Sequence, residues 1–218
     1  MTTAQQIIEA GYARSTANDP GKLSTDAELL GRLNRTYQRL FALASAQRPD
    51  TFATISTLTL VGAQATVALP ADLIEVRRLQ NASGAHVHLI PASEIARTWH
   101  VAPCVYRTGS ALFSRLRPLD PIGGDVLTAW LLLPGTTIVA LSTPIDAVFP
   151  TRHTELLSTD LALYLSVKDD GRDPSHFSEL TADYSGQLAA FAHDYNLSAS
   201  SLESVHSPVE HVSVSATT

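Results

Sequence analysis

The chain opens on a short amphipathic pattern. Over residues 3–15 Ile7, Ile8 and Tyr12 form one apolar stripe, and Thr3 with Gln6 has the spacing of a capping box, so this stretch is read as a helix. Residues 16–23 form a loop around an Asp-Pro-Gly turn. A longer helix follows. Thr25 and Glu28 repeat the capping-box spacing, and Leu29, Leu33, Tyr37, Leu40, Phe41 and Ala44 lie on one face, with Pro49 beyond its end.

From Thr51 to about Ala147 the period changes. Short runs rich in Val, Ile, Thr and Leu alternate with Gly and Pro. Strands are predicted near 52–61, 65–69, 73–79, 86–90, 104–107, 111–116, 126–133 and 137–141, joined as antiparallel hairpins, with a short helix over 92–98. Turns are expected at 61–64, Ser83-Gly84, 108–110, Gly123-Gly124 and Pro134-Gly135. Helical periodicity returns after Pro150, where Leu157, Leu161, Tyr164 and Leu165 share a face, with Leu156 and Leu163 beside it. Asp173 then stands as an N-cap before Pro174 at the first helical position. Phe177, Leu180, Tyr184, Leu188, Phe191 and Tyr195 follow at spacings of three and four, a seam suited to core packing or to a subunit interface.

Residues 196–218 are serine-rich and without an aromatic residue, and are read as a tail that orders only on a partner. Val205, Val209, Val212 and Val214 are its candidate partner-binding residues, and Val212-Ser213-Val214 has the alternation of an extended strand. The expected fold is α+β. N-terminal helices (1–50) and C-terminal helices (150–195) form a bundle, into which an antiparallel β-subdomain (51–149) is inserted, and the extended tail follows.

Composition narrows the function. A net charge of −6 disfavours broad nucleic-acid binding and adhesion to anionic membranes. The opening residues lack the pattern of a signal peptide, and the longest apolar run, Ala129–Leu133, is far too short for a membrane span, so synthesis in the cytosol is expected. Cys104 is the single cysteine, which excludes an intrachain disulfide or a cysteine zinc site; it reads as a small apolar core residue.

No catalytic constellation emerges, and no metal or cofactor is expected. There is no phosphate-binding glycine loop and no Gly-x-Ser-x-Gly. His86 and His88 could share a strand face, but no third ligand sits at a recognisable spacing, and His206 and His211 fall in the tail. Asp169-Asp170 reads as a solvated helix end and Asp72 as turn chemistry, while the glycosylation patterns at Asn81 and Asn196 carry no meaning without secretion. Arg97, Arg107, Arg115 and Arg117 are a stretch of positive charge, suited to solvated strand faces, subunit salt bridges, or a phosphate or DNA contact.

The order of these pieces resembles the head–tail adaptor (connector) proteins of tailed bacteriophages. The resembling segments are the opening helix, the helix Asp26–Leu40, the stretch Val67–Leu79 with its Leu-Pro-x-Asp turn, Pro103–Gly109, and Ser142–Pro150 leading into the helix 155–169. The likeness spans roughly residues 3–195 and leaves the tail outside. It implies a structural virion protein without catalysis, forming a ring, commonly twelve-fold, under the portal. Such a ring extends the DNA channel and receives tail or neck proteins. An acidic chain is compatible with DNA that slides without sequence-specific binding. The rival readings are another neck ring protein, such as a tail-completion or gatekeeper protein, and an enzyme with a dispersed hydrolase site, for which no nucleophile–base pair stands out.

Overall fold

The computed structural model describes residues 2–15, 24–60, 67–91, 104–108, 115–118, 126–145, 151–169, 173–198 and 202. The fold is α+β, in two compact units: residues 1–47 with 135–218, and residues 48–134.

The first unit is a helical bundle of α1 (Ala4–Arg14), α2 (Asp26–Gln47), α4 (Thr151–Lys168) and α5 (Pro174–Tyr195). Both capping boxes form. The Gln6 N–H donates to Thr3 Oγ1 while Gln6 Oε1 accepts from the Thr3 N–H, and Glu28 and Thr25 exchange the same pair of bonds. Asp173 accepts from the Ser175 N–H ahead of Pro174. Helix α4 is the centre of the bundle. Every residue from Leu156 to Leu163 is buried, so burial extends beyond the expected apolar face to the whole circumference and takes in Ser158, Thr159 and Asp160. Around it α5 buries Leu180, Tyr184, Leu188, Phe191 and Tyr195, which assigns the aromatic seam to the core; Phe177 is half-buried.

A polar ladder joins α2 to α4 at intervals of four residues. Arg32 Nε donates to Asp160 Oδ2 at 2.8 Å and its Nη2 donates to Oδ1, while Thr36 Oγ1 donates to Oδ2 at 2.9 Å. One helical turn away, the Lys168 ammonium reaches Glu28 at 3.3 Å and lies 4.9 Å over the Tyr164 ring. The Thr25 N–H, and after it Lys168, hold the Glu28 carboxyl below its ordinary range. Burial, with Asp160 nearby, pushes the Tyr184 hydroxyl well above its ordinary value. Arg14 ties three helices, donating to Thr159 Oγ1 at 2.9 Å and Asp183 Oδ2 at 3.0 Å.

The strand expected at 137–141 does not form. Its backbone groups have other partners: the Ile138 N–H donates to Asn34 Oδ1 and the Ala140 N–H to Thr143 Oγ1. The carbonyls of Leu141 and Thr143 accept the Gln5 and Ala4 N–H groups. The segment thus caps the first turn of α1, whose amides have no partner inside the helix. Gly135 enters this unit where a Cβ would stand 2.9 Å from Phe41 Cγ and 3.0 Å from Tyr37 Cε1. Gly135→Ala is therefore expected to destabilise the bundle by about 1–3 kcal/mol through overpacking, read as a lower urea midpoint at unchanged slope.

Among the described residues the second unit holds a short helix α3 (Pro49–Phe52) and seven strands: β1 (Ala53–Thr59), β2 (Val67–Ala68), β3 (Glu75–Asn81), β4 (His88–Ile90), β5 (Cys104–Thr108), β6 (Arg115–Pro118) and β7 (Val126–Leu132). Pro49, expected merely to lie beyond α2, starts α3, where its fixed φ suits a first turn. The strands make two sheets, β1-β7-β3 and β2-β6-β5-β4. Of the expected antiparallel pairs of neighbours, β5 with β6 forms; elsewhere β1 pairs with the distant β7, β2 with β6, and β4 runs parallel to β5. One core lies between the sheets, built from Leu58, Leu60, Leu69, Leu73, Leu79, Val87, Val105, Leu127, Ala129 and Leu131. Burying these side chains together, more than nearness in sequence, selects the partners.

The turn at Ser83-Gly84 forms as expected. Asn81, 8% exposed, nucleates it: its Oδ1 accepts from the N–H groups of Ser83 and Ala85 and from Ser83 Oγ. Gly84 adopts φ +82°, which a side chain would strain. The returning chain lays Val87 against Leu79 and then crosses into the other sheet as β4. The turn at Pro70–Leu73, which includes Asp72, closes with a Leu73 N–H to Pro70 carbonyl bond. The helix expected over 92–98 lies outside the described residues.

Candidate functional site

The charged residues singled out in the sequence are only partly placed. Arg107 lies on β5 and Arg115 and Arg117 on β6. The register sets Arg115 opposite Thr108 and Arg117 opposite Tyr106, but Arg107 opposite Leu116, at the alternate position of the ladder. The three are therefore not one row. Arg97 and the tail valines Val205, Val209, Val212 and Val214 lie outside the described residues. His86 and His88 do meet, with ring centroids 4.6 Å apart. Among the described residues no group of three potential metal ligands forms around them or elsewhere.

The surface with the most pronounced chemistry is the outer face of the three-stranded sheet. Strand β7 turns Leu127, Ala129 and Leu131 to the core, so Val126, Thr128 and Trp130 take the opposite face. Pairing fills the rows of that face: Ile55–Trp130–Arg78, Thr57–Thr128–Gln80 and Thr59–Val126. Ile55 is 63% exposed and Val126 37%. The Arg78 guanidinium lies 4.9 Å over the Trp130 ring.

A register shift between Val76 and Arg78 marks a β-bulge at Arg77. Arg77 donates to Asp50 Oδ1 at 3.0 Å and Glu75 Oε1 at 2.9 Å, and these carboxylates hold its charge in place. Arg78 makes no ion pair among the described residues. It lines, with Asp50, Arg77, His86 and Trp130, a cleft of about 380 Å³ beside the exposed row. Tryptophan and arginine are the residue types enriched among those that dominate binding energy where a partner excludes water.

Sequence reading missed Ile55, Trp130 and Arg78. The alternation of Ile55, Thr57 and Thr59 against Leu58 and Leu60 was a usable signal for β1. Trp130, inside the apolar run 129–133, carried none, because only the pairing of β7 decides which of its faces is covered.

The chain thus combines a helical bundle with a two-sheet β unit whose outer face carries exposed Ile55 and half-buried Trp130 under Arg78. The chain belongs to the SU10 adaptor protein family, whose model matches residues 2–209. It is thus a phage head–tail adaptor, a structural protein of the virion neck. The match runs past residue 195, so it takes in part of the segment expected to stand outside the resemblance. Among curated proteins none matches the chain. No helix among the described residues is long and apolar enough to cross a membrane.

Proposed function

We propose that the chain assembles as a twelve-membered ring between portal and tail, extends the channel through which DNA passes, and works by binding alone, without catalysis or cofactor. The observation that carries this reading is the family match over residues 2–209. The net charge of −6 suits a channel in which DNA slides, since an acidic wall does not condense the phosphate backbone. In this reading Arg97, Arg107, Arg115 and Arg117 serve subunit salt bridges or isolated channel contacts, and the outer sheet face meets a neighbouring protein.

Sedimentation of the protein mixed with its purified portal tests the proposal. A complex heavier than the portal by many adaptor copies is expected at micromolar concentration, and an unchanged portal mass would overturn it.

The tail, through Val205, Val209, Val212 and Val214, contributes to that assembly. Helix α5 closes at Asn196, whose left-handed backbone and N–H bonds to Ala192 and His193 finish its last turn. A chain ending at Ser198 keeps this cap. It is expected to melt like the full chain but to dock on the portal at least about tenfold more weakly, because a ring of tails multiplies weak contacts. Circular dichroism and portal titration separate the two effects, and unchanged docking would remove the tail from the mechanism.

A further inference from the structure

The two edges of the three-stranded sheet are finished differently. Edge strand β3 is protected in the usual ways: it carries Glu75, Arg77 and Arg78, it is bulged, and its end at Leu79–Asn81 is occupied by the returning segment at Ala85–Val87. Edge strand β1 has none of these devices. Ala53–Thr59 contains no charge, no proline and no bulge, and it pairs with β7 through seven consecutive residues. Among the described residues nothing pairs with its outer edge. A long, regular, uncharged edge next to the 63% exposed Ile55 is a template for another strand.

We propose that this edge is completed by the C-terminal segment of a neighbouring copy, added to β1 as an extra strand centred on Val212–Ser215. The proposal rests on the ring reading above. The chain itself supplies the occupant. Twenty residues follow Ser198, and Val212-Ser213-Val214-Ser215 alternates apolar and polar positions with a β-branched residue at every second place. Residues 212–218 carry no charged side chain, so they match the uncharged β1 without leaving an ion unpaired at the sheet edge. The residues 199–211 that lead to Val212 reach, when extended, on the order of 45 Å, a span suited to passing from one subunit to the next. Each copy gives one tail and receives one, a head-to-tail exchange that closes only when the subunits form a ring. A single added strand holds weakly because the tail loses its freedom on docking; repetition around the ring compensates.

Mixed-copy cross-linking tests this. One set of chains carries Thr57→Cys and a second set carries a single cysteine scanned through 211–215, both with Cys104→Ser. They are combined in equal amounts and assembled on the portal, with assembly followed by sedimentation. Adjacent strands bring Cα atoms about 4.5–5.5 Å apart, within disulfide range. A disulfide-linked heterodimer at alternate scan positions, with hydrogen exchange of residues 53–60 at least about tenfold slower than in a ring of chains ending at Ser198 or, should those fail to assemble, than in the free full chain, is the expected result. A ring that forms without the cross-link at any scanned position overturns the strand exchange alone. In a control chain carrying both cysteines, a cross-link that forms there but in none of the mixed pairs overturns it in favour of self-docking. Failure of the unsubstituted protein to assemble on the portal overturns the ring reading itself.

Discussion

Leu188→Asp is expected to lower the stability of the helical bundle by about 3–5 kcal/mol, the cost of an unpaired charge in apolar surroundings. Leu188 is 1% exposed and sits in the α5 seam between Tyr184 and Phe191, themselves buried. Close by in the seam, the Phe191 ring packs 5.0 Å from His153 and 4.8 Å from Tyr195. A carboxylate at position 188 must either enter this wall unpaired, take up a proton, or force α5 away from α4. For a chain of this size the loss corresponds to a fall in melting temperature of roughly 10 °C. Leu188→Met keeps the volume and the apolar character and should cost less than about 1.5 kcal/mol. Thermal unfolding by circular dichroism separates the two; a Leu188→Asp variant melting with the parent would place this face in solvent.

Arg32→Ala is the second large effect, again about 3–5 kcal/mol. The Asp160 side chain is 2% exposed and accepts from Arg32 through both carboxylate oxygens, with Thr36 as its third donor. Removing Arg32 leaves a buried carboxylate with one neutral hydroxyl, and the cost of keeping it ionised away from water exceeds what the intact pair contributes. That asymmetry gives a specific check. Arg32→Met combined with Asp160→Asn removes both charges while keeping an acceptor for Thr36, so the double variant should be more stable than Arg32→Ala alone. Urea unfolding of the parent, both single variants and the double variant measures the coupling. Additive losses would mean that the two charges act independently.

The predictions for Leu188 and Arg32 come from different sources. The seam around Leu188 was legible as a periodic row, whereas nothing about Asp160 in the run Ser158-Thr159-Asp160-Leu161 distinguished it from a solvated acid. Its partner lies 128 residues away, and only the packing of α2 on α4 brings them together. The candidate contact face divides in the same way. Period-two alternation marked β1 as a half-buried strand, but Ile55, Trp130 and Arg78 become one row only through two strand pairings that span most of the second unit.

What the sequence determined by itself was local. Two capping boxes, the Asp173-Pro174 start of α5 and the Ser83-Gly84 turn all follow from hydrogen bonds and backbone preferences within a few residues, and each appears where the residues require it. The α+β class and the adaptor family were readable from the succession of these pieces. What only the tertiary structure decided was non-local. It kept the antiparallel pair β5-β6 but joined β1 to β7 and β2 to β6, set β4 parallel to β5, and made the expected strand 137–141 part of the segment that caps α1. The reason is physical. A strand pattern states that one face is to be buried but not against what, and the choice falls to whichever arrangement buries Leu58, Leu79, Leu127 and Leu131 together while leaving no backbone amide of α1 without an acceptor.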